Sequence, residues 1–227
     1  MTDNSPVSSE AAERASLYGL LSRMFRREPD LELIRHFRSA AVQETLGDLN
    51  LSMGRPFMET DEQVLQEELA AEYTRLFLAP PTHLPPYESC FVGGIKQAKE
   101  TFEPSLQGKA AHETAAFYAE NGIAFTHEAN IFPDHIAAEL DALRLLCDLE
   151  AEAAARRNLE EVLRCRRTAA RFLAEHVNRW VPLFCETVID SAKTGFYAVA
   201  AELTRSFVDS ETEALTPCGV EQEEVTQ

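Results

Sequence analysis

The sequence has little positive charge, no long apolar run and no redox pairing of cysteines. Lys and Arg supply 21 of 227 residues against 38 Asp and Glu, a formal net charge of −17. Nucleic-acid binding rests on cationic side chains that displace counterions. The balance therefore excludes a nucleic-acid partner and disfavours an anionic lipid surface. It would draw in a basic partner, although acidity also serves solubility alone. No run approaches the ~20 apolar residues that cross a bilayer. Met1–Glu10 has neither the basic nor the apolar part of a secretory leader. A cytoplasmic protein without stable membrane insertion is expected. The five cysteines (90, 147, 165, 185 and 218) are odd in number and form no CxxC. Cys147, Cys165 and Cys185 fall in apolar helical patterns, which suits buried, reduced thiols.

Catalytic signatures are missing too. There is no GxSxG elbow, no GxxxxGK[ST] loop and no GxGxxG. The Gly93-Gly94 pair reads as a turn. His112-Glu113 begins a zincin pattern, but the position that needs the second His is Ala116. The His-Asp dipeptide of helical phosphohydrolases is absent, since the order is Asp134-His135. His135 and Glu139 share a helical face one turn apart. They leave open a metal-dependent hydrolase, for which a third ligand is not apparent. No cofactor is expected.

What is present is helical periodicity. Leu17, Leu20, Leu21, Met24 and Phe25 form one stripe. Leu31, Ile34, Phe37 and Ala41 form a second, started at Pro29-Asp30. Gly47–Pro56 reads as a loop. Leu65, Leu69, Tyr73, Leu76 and Phe77 mark a third helix, with Thr60 or Asp61 as its cap. That helix stops at Pro80-Pro81, and a proline-bracketed loop follows. Residues 98–121 read as one broken or two helical segments, interrupted near Pro104 and Gly108. A loop containing His127 leads to a helix over 133–155 with Pro133 in its first turn. Further helices are expected over 159–176, with His176 on a solvated face, from Pro182, and through Phe196–Phe207. Strand alternation is scarce. The expectation is an all-α, single helical-bundle-like domain over 10–210, a flexible segment 1–9 and a disordered acidic tail 211–227.

Three stretches carry a resemblance. Tyr73-x-x-Leu76-Phe77, then Pro86-Tyr87-Glu88-Ser89, then Pro133-Asp134-His135-Ile136-x-x-Glu139-Leu140 resemble the TorD/DmsD/NarJ family of redox-enzyme maturation chaperones. Trp180-x-x-x-Phe184 fits a later family pattern. The resemblance covers roughly residues 10–205. It departs at Phe132, where the family usually carries Glu. It implies an all-helical fold and a cytoplasmic, non-catalytic role: binding the twin-arginine signal peptide of a molybdenum-cofactor oxidoreductase and delaying export until cofactor insertion is complete.

On that resemblance the expected binding residues are Tyr73, Leu76, Phe77, Pro86, Tyr87, Glu88, Ser89, Phe132, Pro133, Asp134 and His135. Leu76, Phe77 and Tyr87 would meet the apolar part of the leader. Glu88 and Asp134 would face its guanidinium groups. His135, at a helix N-terminus, is expected to be neutral, bonding to peptide backbone or to Asp134. Asp134 and His135 could equally be a self-satisfied turn and cap. An adaptor that binds only a folded partner is the other reading. The mature part of the oxidoreductase is a further expected contact, and the protein would be a monomer or a domain-swapped dimer.

Overall fold

The computed structural model describes residues 6–80, 82–92, 108–124 and 131–219, with side chains to 216. Gly93-Gly94, Pro104, His127 and the ends 1–5 and 220–227 lie outside the described residues, as do parts of the segments expected over 98–121 and 123–132. Among the described residues there are eleven α-helices and no strand. They are α1 Pro6–Arg26, α2 Leu31–Arg38, α3 Ala40–Asp48, α4 Gly54–Glu59, α5 Glu62–Tyr73, α6 Glu88–Phe91, α7 Lys109–Glu120, α8 Ile136–Ala155, α9 Leu159–Glu175, α10 Val181–Ser191 and α11 Gly195–Gly219. The all-α expectation holds.

Local chemistry sets most of the boundaries. Asp30 accepts from Leu33 N–H and opens α2. Asp61 does the same for α5 through Gln63 and Val64, as short oxygen side chains do at N-caps. The 31–41 stripe is broken at Ser39, whose extended backbone ends α2 and begins α3. The stretch expected to be a loop over 47–56 is shorter, because α3 and α4 enter it from both sides.

The central packing joins α1 to α8, with α9 and α11 alongside. Ser8 Oγ donates to Ala151 O at 3.1 Å, and Ser22 Oγ donates to Ala137 O at 2.7 Å, so α1 and α8 run antiparallel. The Tyr18–Phe207 ring pair and the Arg14–Glu211 ion pair run α11 antiparallel along α1. One continuous core contains Phe25, Phe77, Phe172, Trp180, Phe184 and Tyr197. Burying each such side chain contributes about 1.5–3 kcal/mol.

Both chain ends correct the expected domain limits. Residues 6–9, expected to be flexible, open α1, and Ser8 is buried. Residues 211–219, expected to be disordered, continue α11. Glu211 accepts from Arg14 Nε at 2.9 Å, and Leu215 joins the core.

Candidate functional site

Helix α5 ends in a π-turn, Thr74–Leu78, closed by Ala79 N–H donating to Thr74 O. Such wide turns are uncommon and often stand beside functional segments. The chain then folds back. Leu84 N–H donates to Leu76 O at 2.6 Å, and Arg75 Nη1 donates to Thr82 Oγ1 at 3.0 Å. His83 adopts φ 32° inside this return. The proline loop is thereby fastened to the helix it follows.

Its far end is fastened to the segment before α8. Ile136 N–H donates to Pro86 O and Glu88 N–H to Asp134 O, both at 2.9 Å. Tyr87 and His135 form an antiparallel bridge. Ser89 N–H donates to Asp134 Oδ2 at 3.0 Å. Two stretches 45 residues apart in sequence thus form one seam. The structure brings together Pro86, Tyr87, Glu88, Ser89, Phe132, Pro133, Asp134 and His135.

Several of these residues face inward, which corrects the roles expected of them. Leu76 and Phe77 are core residues, and Phe77 packs on Tyr73, Phe25 and Tyr197. They are buried and support the seam from beneath. Tyr73 is buried with its hydroxyl donating to Phe25 O at 3.1 Å. Glu88 and Asp134 are both 0 % exposed, so neither carboxylate faces outward to a guanidinium of a ligand. The reason is local: Asp134 satisfies backbone N–H groups of α6, and burial pushes its carboxyl up while the Ser89 hydrogen bonds oppose this.

His135 caps α8. Its Nδ1 accepts from Ala137 N–H at 3.0 Å, so it bonds within its own turn and not to Asp134. The cap also moves the helix start to Ile136, leaving Pro133 outside the first turn where it was expected. Burial, helped by the charge of Arg26, lowers the imidazole to about 3. The ring is neutral, as expected of a side chain at this end of a helix.

Beneath the seam lies a polar cluster built from distant elements. Glu88 Oε2 meets His176 Nδ1 at 2.9 Å and accepts from Thr114 Oγ1 at 3.2 Å; Glu88 Oε1 accepts from Arg179 Nη1 at 3.3 Å. Helices α6, α7 and the end of α9 are held by this one carboxylate. His176, expected on a solvated face, is buried, because Glu88 supplies its partner there. Trp180 Nε1 donates to Glu139 Oε2 at 2.9 Å, and Glu139 Oε1 has no partner. Burial first, and then the charge of Glu88, push the Glu139 carboxyl well above its ordinary value. His135 and Glu139 are both engaged internally. Among the described residues no group of three His, Cys, Asp or Glu is placed to hold a metal ion.

The outward face of the seam is aromatic. Tyr87 and Phe132 are both half-buried, with ring centroids 6.0 Å apart, and the His135 ring meets Tyr87 edge-on at 4.8 Å. Tyr118 on α7 donates its hydroxyl to Pro133 O at 3.0 Å and fixes the level of this shelf. Cys90 beside it has its thiol pushed up to about 11 by burial, so it is not a nucleophile at neutral pH. Sequence reasoning missed Thr114, Tyr118 and Arg179. Each acts through one long-range contact that leaves no periodic signal.

Residues 27–186 match the model of a family described as nitrate reductase delta subunit. Relatives named Chaperone protein TorD align along nearly the whole chain. The one from Vibrio cholerae (strain O395) is 27 % identical over 214 residues, covering 89 % of this chain and 92 % of its own. That from Vibrio vulnificus (strain YJ016) is 28 % identical over 206 residues, with 86 % and 91 % covered. That from Shewanella pealeana is 27 % identical over 214 residues, covering 89 % of each.

Proposed function

The chain belongs to the nitrate reductase delta subunit family, the TorD-like proteins, and on that premise we propose that it is a non-catalytic chaperone for the maturation of a molybdoenzyme. In this reading it binds the twin-arginine leader of that enzyme in the cytoplasm. Export waits until folding and cofactor insertion are complete.

One observation carries the reading to a place on the molecule: the hydrogen-bonded seam whose outer surface is the Tyr87–Phe132 shelf. The apolar part of a leader needs a rigid apolar surface, and rigid aromatic residues supply contact area at low entropic cost. The prolines and the cross-seam hydrogen bonds hold Tyr87 in place before any peptide arrives. Of the residues nominated from sequence, Tyr87, Ser89, Phe132 and Pro133 offer accessible surface. Leu76, Phe77, Glu88, Asp134 and His135 act through the positions of those four.

The test is titration calorimetry of a synthetic twin-arginine leader with the purified protein. Tyr87→Ala and Phe132→Ala should each weaken binding by about 1–2 kcal/mol with unchanged circular dichroism. Wild-type affinity in both variants would remove the shelf from the reading. A wild-type protein that takes up no leader would remove the reading itself.

A further inference from the structure

On the other side of the buried Glu88 cluster, α7 and the end of α9 enclose an open groove. Phe117 and Ala116 form its floor, Glu113, Glu120 and Glu175 stand on its rim, and His176 and Arg179 close one end. The Phe117 ring face is covered by a guanidinium from the protein's own chain, with Arg171 Cζ 4.5 Å from the ring centroid. Arg171 Nη2 stands 3.9 Å from Glu120 and Nε stands 3.7 Å from Glu175. Charge-assisted hydrogen bonds close to about 2.7–2.9 Å, so Arg171 lies between two carboxylates without bonding tightly to either.

His176 adds a second indication of a ligand. It is only 3 % exposed, and its Nδ1 is held by Glu88. Its Nε2 has no partner among the described residues, and the side chain lines the groove. When Nδ1–H donates to Glu88, the neutral imidazole presents a lone pair at Nε2. An aromatic face, two carboxylates and an imidazole acceptor suit a planar cation that stacks and donates in several directions. Guanidinium fits that description better than ammonium.

We infer that this groove is a guanidinium subsite for the basic end of the bound leader, occupied in the free protein by Arg171. The inference rests on the peptide-binding reading above and adds a location and a competing internal ligand. An incoming arginine displaces Arg171 from Phe117, bonds to Glu120 and Glu175, and can donate to His176 Nε2. Leader affinity is then set partly by how strongly Arg171 holds its own place.

Three variants, carrying four substitutions at exposed side chains, test this by calorimetry with the twin-arginine leader and a twin-lysine counterpart. The side chains of Arg171, Glu120 and Glu175 are 44 %, 71 % and 54 % exposed, so the fold is expected to survive. Arg171→Gln should tighten the twin-arginine leader about threefold, and the double variant Glu120→Gln/Glu175→Gln should weaken it about fivefold. The twin-lysine peptide should respond less to both. Arg55→Gln, on the exposed face of α4, makes the same charge change elsewhere and should leave affinity unchanged. The subsite is overturned if Arg171→Gln and Arg55→Gln shift affinity equally, since only overall charge would then be acting. It is also overturned if the double variant binds like wild type while Tyr87→Ala is weakened. That last result would leave the peptide-binding reading standing, whereas a wild type that binds no leader overturns both.

Discussion

Two buried polar clusters hold this bundle, and they are built on opposite principles. In the seam between α1, α8, α9 and α11, carboxylates face arginines. Glu150 accepts from Arg14 Nη1 at 3.1 Å and Arg166 Nε at 2.7 Å, and Glu211 accepts from Arg14 Nε at 2.9 Å. Under the Tyr87–Phe132 shelf, the carboxylates of Glu88, Asp134 and Glu139 face an imidazole, a hydroxyl, an indole, backbone N–H groups and one another, with a single arginine at the edge. The first cluster fixes helices by charge compensation. The second accumulates negative charge that burial does not favour, and Glu139 responds by holding its proton. A polar cluster that is incompletely compensated is sensitive to its surroundings. The proposed binding surface is built on that second cluster, not on the first.

The contrast is broken most severely at Glu150, which is 1 % exposed. Glu150→Ala takes the carboxylate partner from Arg166 and leaves Arg14 with Glu211 alone. It should cost about 3–5 kcal/mol of stability, as loss of one partner from a buried ion pair does. Urea unfolding measures this. Leader affinity per folded molecule should stay at the wild-type value, because the cluster touches no part of the shelf. A loss under 1 kcal/mol would mean that the two clusters do not differ in kind.

The second cluster should appear in the pH dependence of stability. His135 has a folded value near 3 against an ordinary 6.5. Between these limits the unfolded chain carries a proton that the folded chain rejects, so stability falls as pH falls from about 6.5 toward 3. The slope from this one group approaches about 1.4 kcal/mol per pH unit. His135→Asn keeps a capping oxygen and should remove one proton's worth of that slope in urea unfolding between pH 6.5 and 4.5. An unchanged slope would show that His135 does not exclude its proton.

Glu139 works in the other sense. Its folded value is raised, so its contribution to stability is complete below 4.5 and is lost as pH rises through the folded value. Glu139→Gln retains an acceptor for Trp180 Nε1 and cannot ionise. The variant should gain about 1 kcal/mol over wild type, with the gain growing as pH rises. A gain that does not change with pH would point to packing and not to ionisation.

The same division decides how much could be read from the sequence. The helices were legible because their apolar spacing is local: the stripes at Leu17–Phe25, Leu65–Phe77 and Phe196–Phe207 all lie on observed helices with buried residues. Caps at Asp30 and Asp61 were legible for the same reason. That the Pro86–Ser89 and Phe132–His135 stretches contribute to one site was implied by resemblance, and their hydrogen bonds join them in the fold. The direction in which their side chains point was not legible. Period and composition mark Glu88 and Asp134 as charged, hence as surface residues, and only the tertiary partners His176, Thr114 and Ser89 make their burial tolerable. The tail was misread on the same ground, since Glu211 looked like one more solvated acid until Arg14 met it.

The smallest expected effect tests the shelf itself. Phe132 is half-buried and occupies the position where the related family usually has Glu. Phe132→Glu replaces an aromatic edge with a carboxylate on accessible surface, so stability should move by no more than about 0.5 kcal/mol. Leader binding should weaken by about 1 kcal/mol through the lost aromatic edge. Because the basic end of the leader is assigned to the Glu120–Glu175 groove, the fall of affinity with added salt should run parallel to that of wild type. Titrations at low and high ionic strength compare the two slopes. A steeper slope in Phe132→Glu would bring the basic end of the leader to position 132 and away from that groove.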